Sequence, residues 1–403
     1  MKIKTILLAG AVSIAAGGAW ADCTFENEVP LKSLSAGFEA WKAVTDAMAE
    51  CGNFSASLDQ EFREKQPEAF AADPALYQIG GVSNATLVPL LNAGTIRPLD
   101  DLVEKYGQDL LPNQLIKVDG KTMAIAMMVN AQHLMYRDDV LAELGIEEPK
   151  TYADVLAAAA KIKDAGVMEY PIGGTFKTGW NLGQEFVNMY LGEGGSFFGD
   201  GNMPAINNEQ GVAALETLKS MTEYMDPEYL VSDSTYVQQQ FQQGKIAIAN
   251  LWASRAAAMN DEAESQVVGK VTMSAAPMGS AVPATTIWWD GIVLASNMSD
   301  EEADAAFRVA MEGIDGDMVS ANNDAAVWLN PAYAAGPLAA GAAASAEAGA
   351  KPYPASGPMG IMHTALGNGL ADYLTGAKDA QTTLADIEAD YVTAAKEAGL
   401  ISN

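Results

Sequence analysis

Trp180, Trp252, Trp288, Trp289 and Trp328 fall near turns or at the ends of apolar runs. A large ring in such a place has a purpose when it covers the flat C–H face of a polyol ring. Amides, carboxylates and guanidinium groups nearby then take the hydroxyls. The densest case is FQQGKIAIANLW, residues 241–252. Gly244 can take the left-handed conformation that ends a helix, and 245–251 reads as a buried strand. Ligands of open α/β sheets lie beyond the carboxyl ends of strands. Asn250, Trp252 and Arg255 therefore arrive where a small molecule is held, with core packing the alternative for Trp252. In IWWDG, residues 287–291, the adjacent indoles of Trp288 and Trp289 point opposite ways if extended, one to a cleft and one to packing. Asp290 either accepts hydroxyls or caps the next turn.

The other candidates follow strand-like runs in the same manner. Phe38 and Glu39 come after the first, at a helix start, where Glu39 is a hydroxyl acceptor or a favourable first-turn carboxylate. Ser83 and Asn84 come after Gly80-Gly81. Asn130 and Gln132 touch ligand or serve a hinge. Trp180, in FKTGWNLGQEF, lies between a strand and a helix start. Trp41 reads as core and His133 as structural.

Equipment for a reaction is sparse. The chain holds two histidines and two cysteines, without an H-E-x-x-H, a C-x-x-C or a phosphate-cradling glycine–lysine loop. GGSFF at 194–198 lacks the last glycine of a nucleophile elbow. DGN at 200–202 starts like a calcium loop that Pro204 and Gly211 break. No metal or cofactor is expected. With 52 carboxylates, a glycoside hydrolase remains the enzymatic alternative.

Residues 1–21, MKIKTILLAGAVSIAAGGAWA, read as a secretory leader: two lysines, an apolar run, and Ala-Trp-Ala before the cut. Asp22 before Cys23 does not fit a lipid-anchor signal, so an exported, soluble protein is expected. The 403 residues are too many for one small core and call for two lobes. The formal charge of −29 repels nucleic acid and anionic membranes. After export, Cys23 and Cys51 should form a disulfide. The helix after the first strand runs back antiparallel to it and returns Cys51 to the level of Cys23. Closing that loop is worth roughly 3–4 kcal/mol.

Strand-like stretches at 29–34, 55–60, 76–79, 123–129, 172–174, 246–251, 271–276 and 292–295 alternate with amphipathic helices, the mark of α/β architecture. Thr151 to Asp154 and Ser299 to Glu302 are capping-box starts. Residues 192–204 form a glycine-rich loop, and 338–350 an alanine-rich helix.

Several segments in order resemble the family-1 extracellular solute-binding proteins of ABC importers, the group that includes maltose-binding protein. They are NAGTIRPLDDLV (92–103), MMVNAQHLMYRDDVLAELGI (127–146), EPKTYADVLAAAAKIKDAG (148–166), PAINNEQGVAALETLKSM (204–221), FQQGKIAIANLW and LADIEADYVTAAKEAG (384–399). The resemblance covers nearly all of the mature chain. It implies a type II periplasmic-binding-protein fold, two α/β lobes around a ligand cleft, joined by crossings near 127–131, 287–292 and 327–333. Lobe 1 would hold 22–129 and 290–328, and lobe 2 would hold 130–288 and 330–403. It implies a monomeric periplasmic protein that captures a mono- or oligosaccharide and passes it to a membrane permease. His363 lies where sugar binders of this family often carry a stacking aromatic. The alternative is a non-sugar solute such as a polyamine, an amino-acid derivative or a polyol phosphate. Arg255, as a lone cation, argues against a strongly anionic solute, because phosphate sites recruit several basic groups. Glu39, Asp290 and the indoles could box a cation instead.

Overall fold

The computed structural model describes residues 23–401. The leader assigned to 1–21 lies outside the described residues. The strands are β1 (Leu31–Ser35), β2 (Phe54–Leu58), β3 (Ile79–Ser83), β4 (Leu115–Val118), β5 (Lys121–Asn130), β6 (Gln132–Arg137), β7 (Ile172–Gly173), β8 (Ile248–Trp252), β9 (Val271–Ser274), β10 (Thr286–Leu294), β11 (Val327–Trp328) and β12 (Lys351–Pro352). They form two sheets. One runs β11-β5-β10-β3-β1-β2, with β4 on β5 and β12 on β10, and the other runs β7-β8-β6-β9.

In the first sheet β1, β2 and β3 are parallel, because helices Glu39–Glu50 and Phe62–Ala71 carry the chain back between them. Side chains of β10 alternate between its faces. Ile292 and Leu294 pack with Leu31, Leu34 and Phe307, whereas Val293 packs with Phe70 and Leu90. The second sheet buries its own core, with Phe176, Phe186, Tyr190 and Phe241 fully enclosed.

Each sheet with its helices makes a lobe, and the chain passes from one to the other at strand ends. β5 ends at Asn130, and across Ala131 the chain enters β6 of the second sheet. β10 runs against β5 at Trp288↔Asn130 and against β3 at Asp290↔Ser83. Beyond β11 the chain reaches helix Ala340–Glu347, where Ser345 caps the backbone N–H of Ala276 in the second lobe.

Strands β4, β6, β11 and β12 are additional to the strand-like stretches of the sequence, β10 begins at Thr286 rather than at 292, and β3 is displaced. The third strand lies at Ile79–Ser83 and includes Gly80 and Gly81, which the sequence presents as a break. A side chain at Gly80 would strike Phe70, and one at Gly81 would strike Trp41 and Ser35, so this strand needs glycine for close packing. β6 follows directly on the crossing at 127–131. Its polar start, Gln132 and His133, hides a strand that is buried from Gln132 to Tyr136. The Cys23–Cys51 disulfide is present. No helix of the described residues is long and apolar enough to cross a membrane.

Candidate functional site

A cavity of about 160 Å³ lies between the lobes. The first lobe lines it with residues at the carboxyl ends of its parallel strands. Phe38 follows β1, Phe62 and Arg63 follow β2, and Ser83 ends β3. The second lobe contributes Trp180 and Asn181, the first two residues of helix Trp180–Gly192, and Asp233 to Thr235 at the start of helix Ser234–Gln242. Trp252 ends β8, and Ser254 and Arg255 sit in the turn behind it. Asn130, Trp288 and Asp290, on the joining strands, complete the lining.

The three indoles form one assembly. Trp180 stacks on Trp252 at 6.4 Å, and Trp288 meets both edge-on, at 5.6 and 5.9 Å. Tyr353 and His363 back it, Tyr353 lying 4.2 Å from Trp288 and His363 5.1 Å from Trp180. Tyr353, His363 and Trp288 have their polar atoms tied. The Tyr353 hydroxyl and His363 Nδ1 are 2.9 Å apart, and His363 Nε2 is 2.9 Å from the Trp180 carbonyl. A carbonyl only accepts, so Nε2 carries the proton and Nδ1 accepts from the tyrosine. Burial holds His363 down at about 4, so the ring is neutral at physiological pH.

Trp288 is anchored from within. Its indole N–H donates to Thr286 at 2.8 Å. The Thr286 hydroxyl donates to Asn188 and accepts from Gln184. Asn188 donates to Gln132 at 2.7 Å, and Gln132 donates to the Glu185 carboxyl, which also accepts from Thr175. Burial pushes Glu185 up to about 7, against the pull of the Thr175 and Gln132 hydrogen bonds. Gln184 Oε1 is the one buried atom of these side chains left without a partner. The connected bonds among the rest favour one arrangement of the members.

The cleft carries several charges. Asp290 is 9% exposed. Burial raises its carboxyl to about 7, while Arg63 and the Trp41 indole pull it back. Arg63 lies 4.4 Å from the Trp180 ring and 4.8 Å from that of Phe62. Arg255 has no carboxylate in ion-pair contact among the described residues and donates to the Gln238 side-chain oxygen at 3.0 Å. Lys177 pairs with Asp233 at 3.4 Å, and Asp233 also accepts the Thr235 and Tyr236 N–H groups.

Of the residues named from sequence, Phe38, Ser83, Asn130, Trp180, Trp252, Arg255, Trp288 and Asp290 converge on this cleft. Five do not line it. His363 stands behind Trp180. Asn250 is 5% exposed, its amide turned to the Tyr152 hydroxyl and the Ala284 carbonyl. Trp289 takes the opposite face of β10 and packs on the first lobe's core. Asn84 is buried in the turn after β3. Glu39 is exposed, acting on Arg255 only through space. Asn130 bonds reciprocally with Ser254, joining the end of β5 to the turn after β8. Gln132 is committed to the network, and His133 is wholly buried.

Arg63, Phe62, Gln60, Lys177, Asn181 and Asp233 were missed. The rule that sites lie beyond strand carboxyl ends, applied to β2 as it was to β8, points at QEFR, residues 60–63. Arg255 is thus not a lone cation, and the argument against an anionic solute that rested on its isolation falls.

This geometry, two α/β lobes closing an aromatic cleft at strand ends, is that of a two-lobed solute-binding protein. The chain matches the family of bacterial extracellular solute-binding proteins over residues 60–312, and it belongs to that family. A stretch of 154 residues is 26% identical to a probable sugar-binding periplasmic protein of Mesorhizobium japonicum. That match spans 36% of each chain, little more than a third of the relative's length. Similar solved structures include an Agrobacterium radiobacter transporter binding protein in complex with ribitol, with 20% identity, a TM-score of 0.81, and coverage of 91% of this chain and 99% of that one. An Agrobacterium vitis protein with bound D-mannitol has 20% identity, a TM-score of 0.79, and coverage of 92% and 99%. A maltose-bound T. maritima protein has 18% identity, a TM-score of 0.75, and coverage of 90% and 99%. At these identities the likeness is one of fold.

Proposed function

We propose that this protein captures a small carbohydrate, a single-ring sugar or polyol, between its lobes in the periplasm and delivers it unchanged to the permease of an ABC importer. The observation that carries the reading is the meeting of three indoles with Asp290 and Arg63 in one enclosed cleft. Indole faces suit C–H faces, and the charged groups suit hydroxyls. The cavity, about 160 Å³, favours one ring over a chain of them. Ribitol, mannitol and maltose in the structural neighbours, and the sugar-binding description of the M. japonicum relative, agree with a polyhydroxylated solute.

The mechanism is a population shift. Solute touches both walls only when the lobes close, so it stabilises the closed form that a permease recognises. The lobe limits that go with this motion are 22–129 with 290–328, and 130–288 with 330–403. Micromolar affinity corresponds to about 8 kcal/mol, within reach of stacked rings and a few hydrogen bonds. Hydrolysis of a glycoside takes two free carboxyl groups. Asp233 is already committed to Lys177 and to a helix start, which supports binding without reaction. The three basic side chains weigh against a polyamine.

A thermal-shift screen tests this, since a solute bound to the folded state raises the melting temperature. Sugars or polyols should give the shifts and be recovered intact. Shifts only with amines, or release of sugar from a glycoside, would reject the reading.

A further inference from the structure

We propose that the solute is anionic: a small polyhydroxy carboxylate, a sugar acid, whose carboxylate lies with Arg63 and Arg255. This rests on the carbohydrate reading and narrows it. Three basic side chains line the cleft of a chain whose net charge is −29. Lys177 has a partner in Asp233. The two guanidinium groups have no carboxylate in ion-pair contact among the described residues. Arg63 Nε is buried without a hydrogen-bond partner, and Arg255 bonds a neutral amide. Glu64 and Asp290 act on Arg63, and Asp233 and Glu39 act on Arg255, only across space. Both arginines are partly buried, and a partly desolvated guanidinium with no carboxylate in contact gains from a ligand that supplies one.

The helices point the same way. Among described helices of nine or more residues, six have a side-chain cap on their first turn, at Thr151, Asn208, Asp233, Ser299, Ser356 and Asp379. The three without one are Glu39–Glu50, Phe62–Ala71 and Trp180–Gly192. All three open on the cleft, through Phe38, Phe62 with Arg63, and Trp180 with Asn181. Each carries the positive end of its helix dipole toward the cleft. In Phe62–Ala71 the Phe62 and Glu64 N–H groups already bond backbone carbonyls and the Glu61 N–H bonds the Asp59 carboxylate, so the dipole rather than open donors is what that helix offers. Together with the two arginines these helix ends make the cleft a local anion site inside an acidic protein. Asp233 and Asp290 offset part of the positive charge, so the surplus suits a singly charged carboxylate better than a doubly charged phosphate ester.

Calorimetric titration of the full mature chain at neutral pH tests this. The probes are glucose and ribitol, the corresponding acids gluconate, glucuronate and ribonate, a hexose phosphate, and putrescine. The acids should bind at least about tenfold tighter than their neutral parents. That preference should shrink with rising salt in the unmodified protein, and in Arg63→Gln and in Arg255→Gln. It should persist in Arg97→Gln, which removes a charge from a surface pair with Asp300. If a variant fails to fold, the salt series on the unmodified protein decides. Neutral sugars binding as tightly as the acids would overturn this inference and leave the carbohydrate reading standing. A tighter phosphate ester would overturn the carboxylate. An acid preference unchanged in both cleft variants would overturn its assignment to these arginines. Binding of putrescine alone would end both readings.

Discussion

The guanidinium of Arg63 lies 4.4 Å from the centre of the Trp180 ring, and the two residues begin helices on opposite walls of the cleft. A cation over an indole shielded from water is worth up to about 2 kcal/mol, so this contact favours the closed arrangement of the lobes. In Arg63→Gln the solute-free protein should expand in small-angle scattering. A double-mutant cycle with Trp180→Leu should show a coupling of about 1 kcal/mol in solute affinity. An unchanged radius of gyration together with additive losses would assign Trp180 and Arg63 to separate roles.

Trp252 ends β8 and stacks on Trp180 at 6.4 Å. Trp252→Ala removes one face of the aromatic assembly without touching the sheet hydrogen bonds that hold the strand. Solute affinity should fall by more than about 2 kcal/mol, some thirtyfold or more, with a native circular dichroism spectrum. Affinity within a factor of a few of the wild type would remove this ring from the site.

Thr286 joins Trp288 to the buried network through its hydroxyl. Thr286→Val keeps the shape and deletes the hydroxyl, leaving the indole N–H and the Gln184 amide short of a partner. Stability in urea should drop by about 1–3 kcal/mol. Solute affinity should drop as well, because Trp288 loses its anchor.

Asp290 and Glu185 are both raised by burial to about 7, from 3.8 and 4.5. The folded chain therefore holds protons that the unfolded chain has released. These two groups lower stability as pH rises from about 4 to about 7, and their effect is flat above that. Asp290→Asn and Glu185→Gln should each show less loss of stability between about pH 5 and about pH 8 than the wild type, measured by urea unfolding. A steeper loss in the variants would mean that these carboxyls are ionised and stabilised in the fold.

The Cys23–Cys51 bridge spans 28 positions and lies away from the cleft-lining residues. Cys51→Ser should cost roughly 3–4 kcal/mol of stability, with solute affinity preserved in the protein that remains folded.

The sequence made the fold class and eight cleft residues legible, for reasons that can be named. Trp252, Arg255 and Ser83 follow strands whose carboxyl ends must face a ligand in this architecture, so spacing alone places them. Trp288 and Trp289 show its reach: alternation says that one faces the cleft, but which one depends on the packing of β10 against the first lobe's core. His363 and Asn250 had the right chemistry at the right level, yet each turns to a buried partner, a choice made by tertiary packing. Arg63 went unseen because EFREK reads as a solvated helix start, and only the opposite lobe turns that start into a cleft wall. Gly80 and Gly81 read as a break because the rings that demand them, Phe70 and Trp41, come from distant turns of the chain.

Diffraction from crystals grown with the tightest binder among the sugars and sugar acids shows whether the solute is held whole between the two lobes. The intact molecule should lie between the lobes, its ring against Trp252 and Trp288, its polar groups on Arg63, Arg255 and Asp290. A solute seated outside that cleft, or one found cleaved within it, would contradict the account.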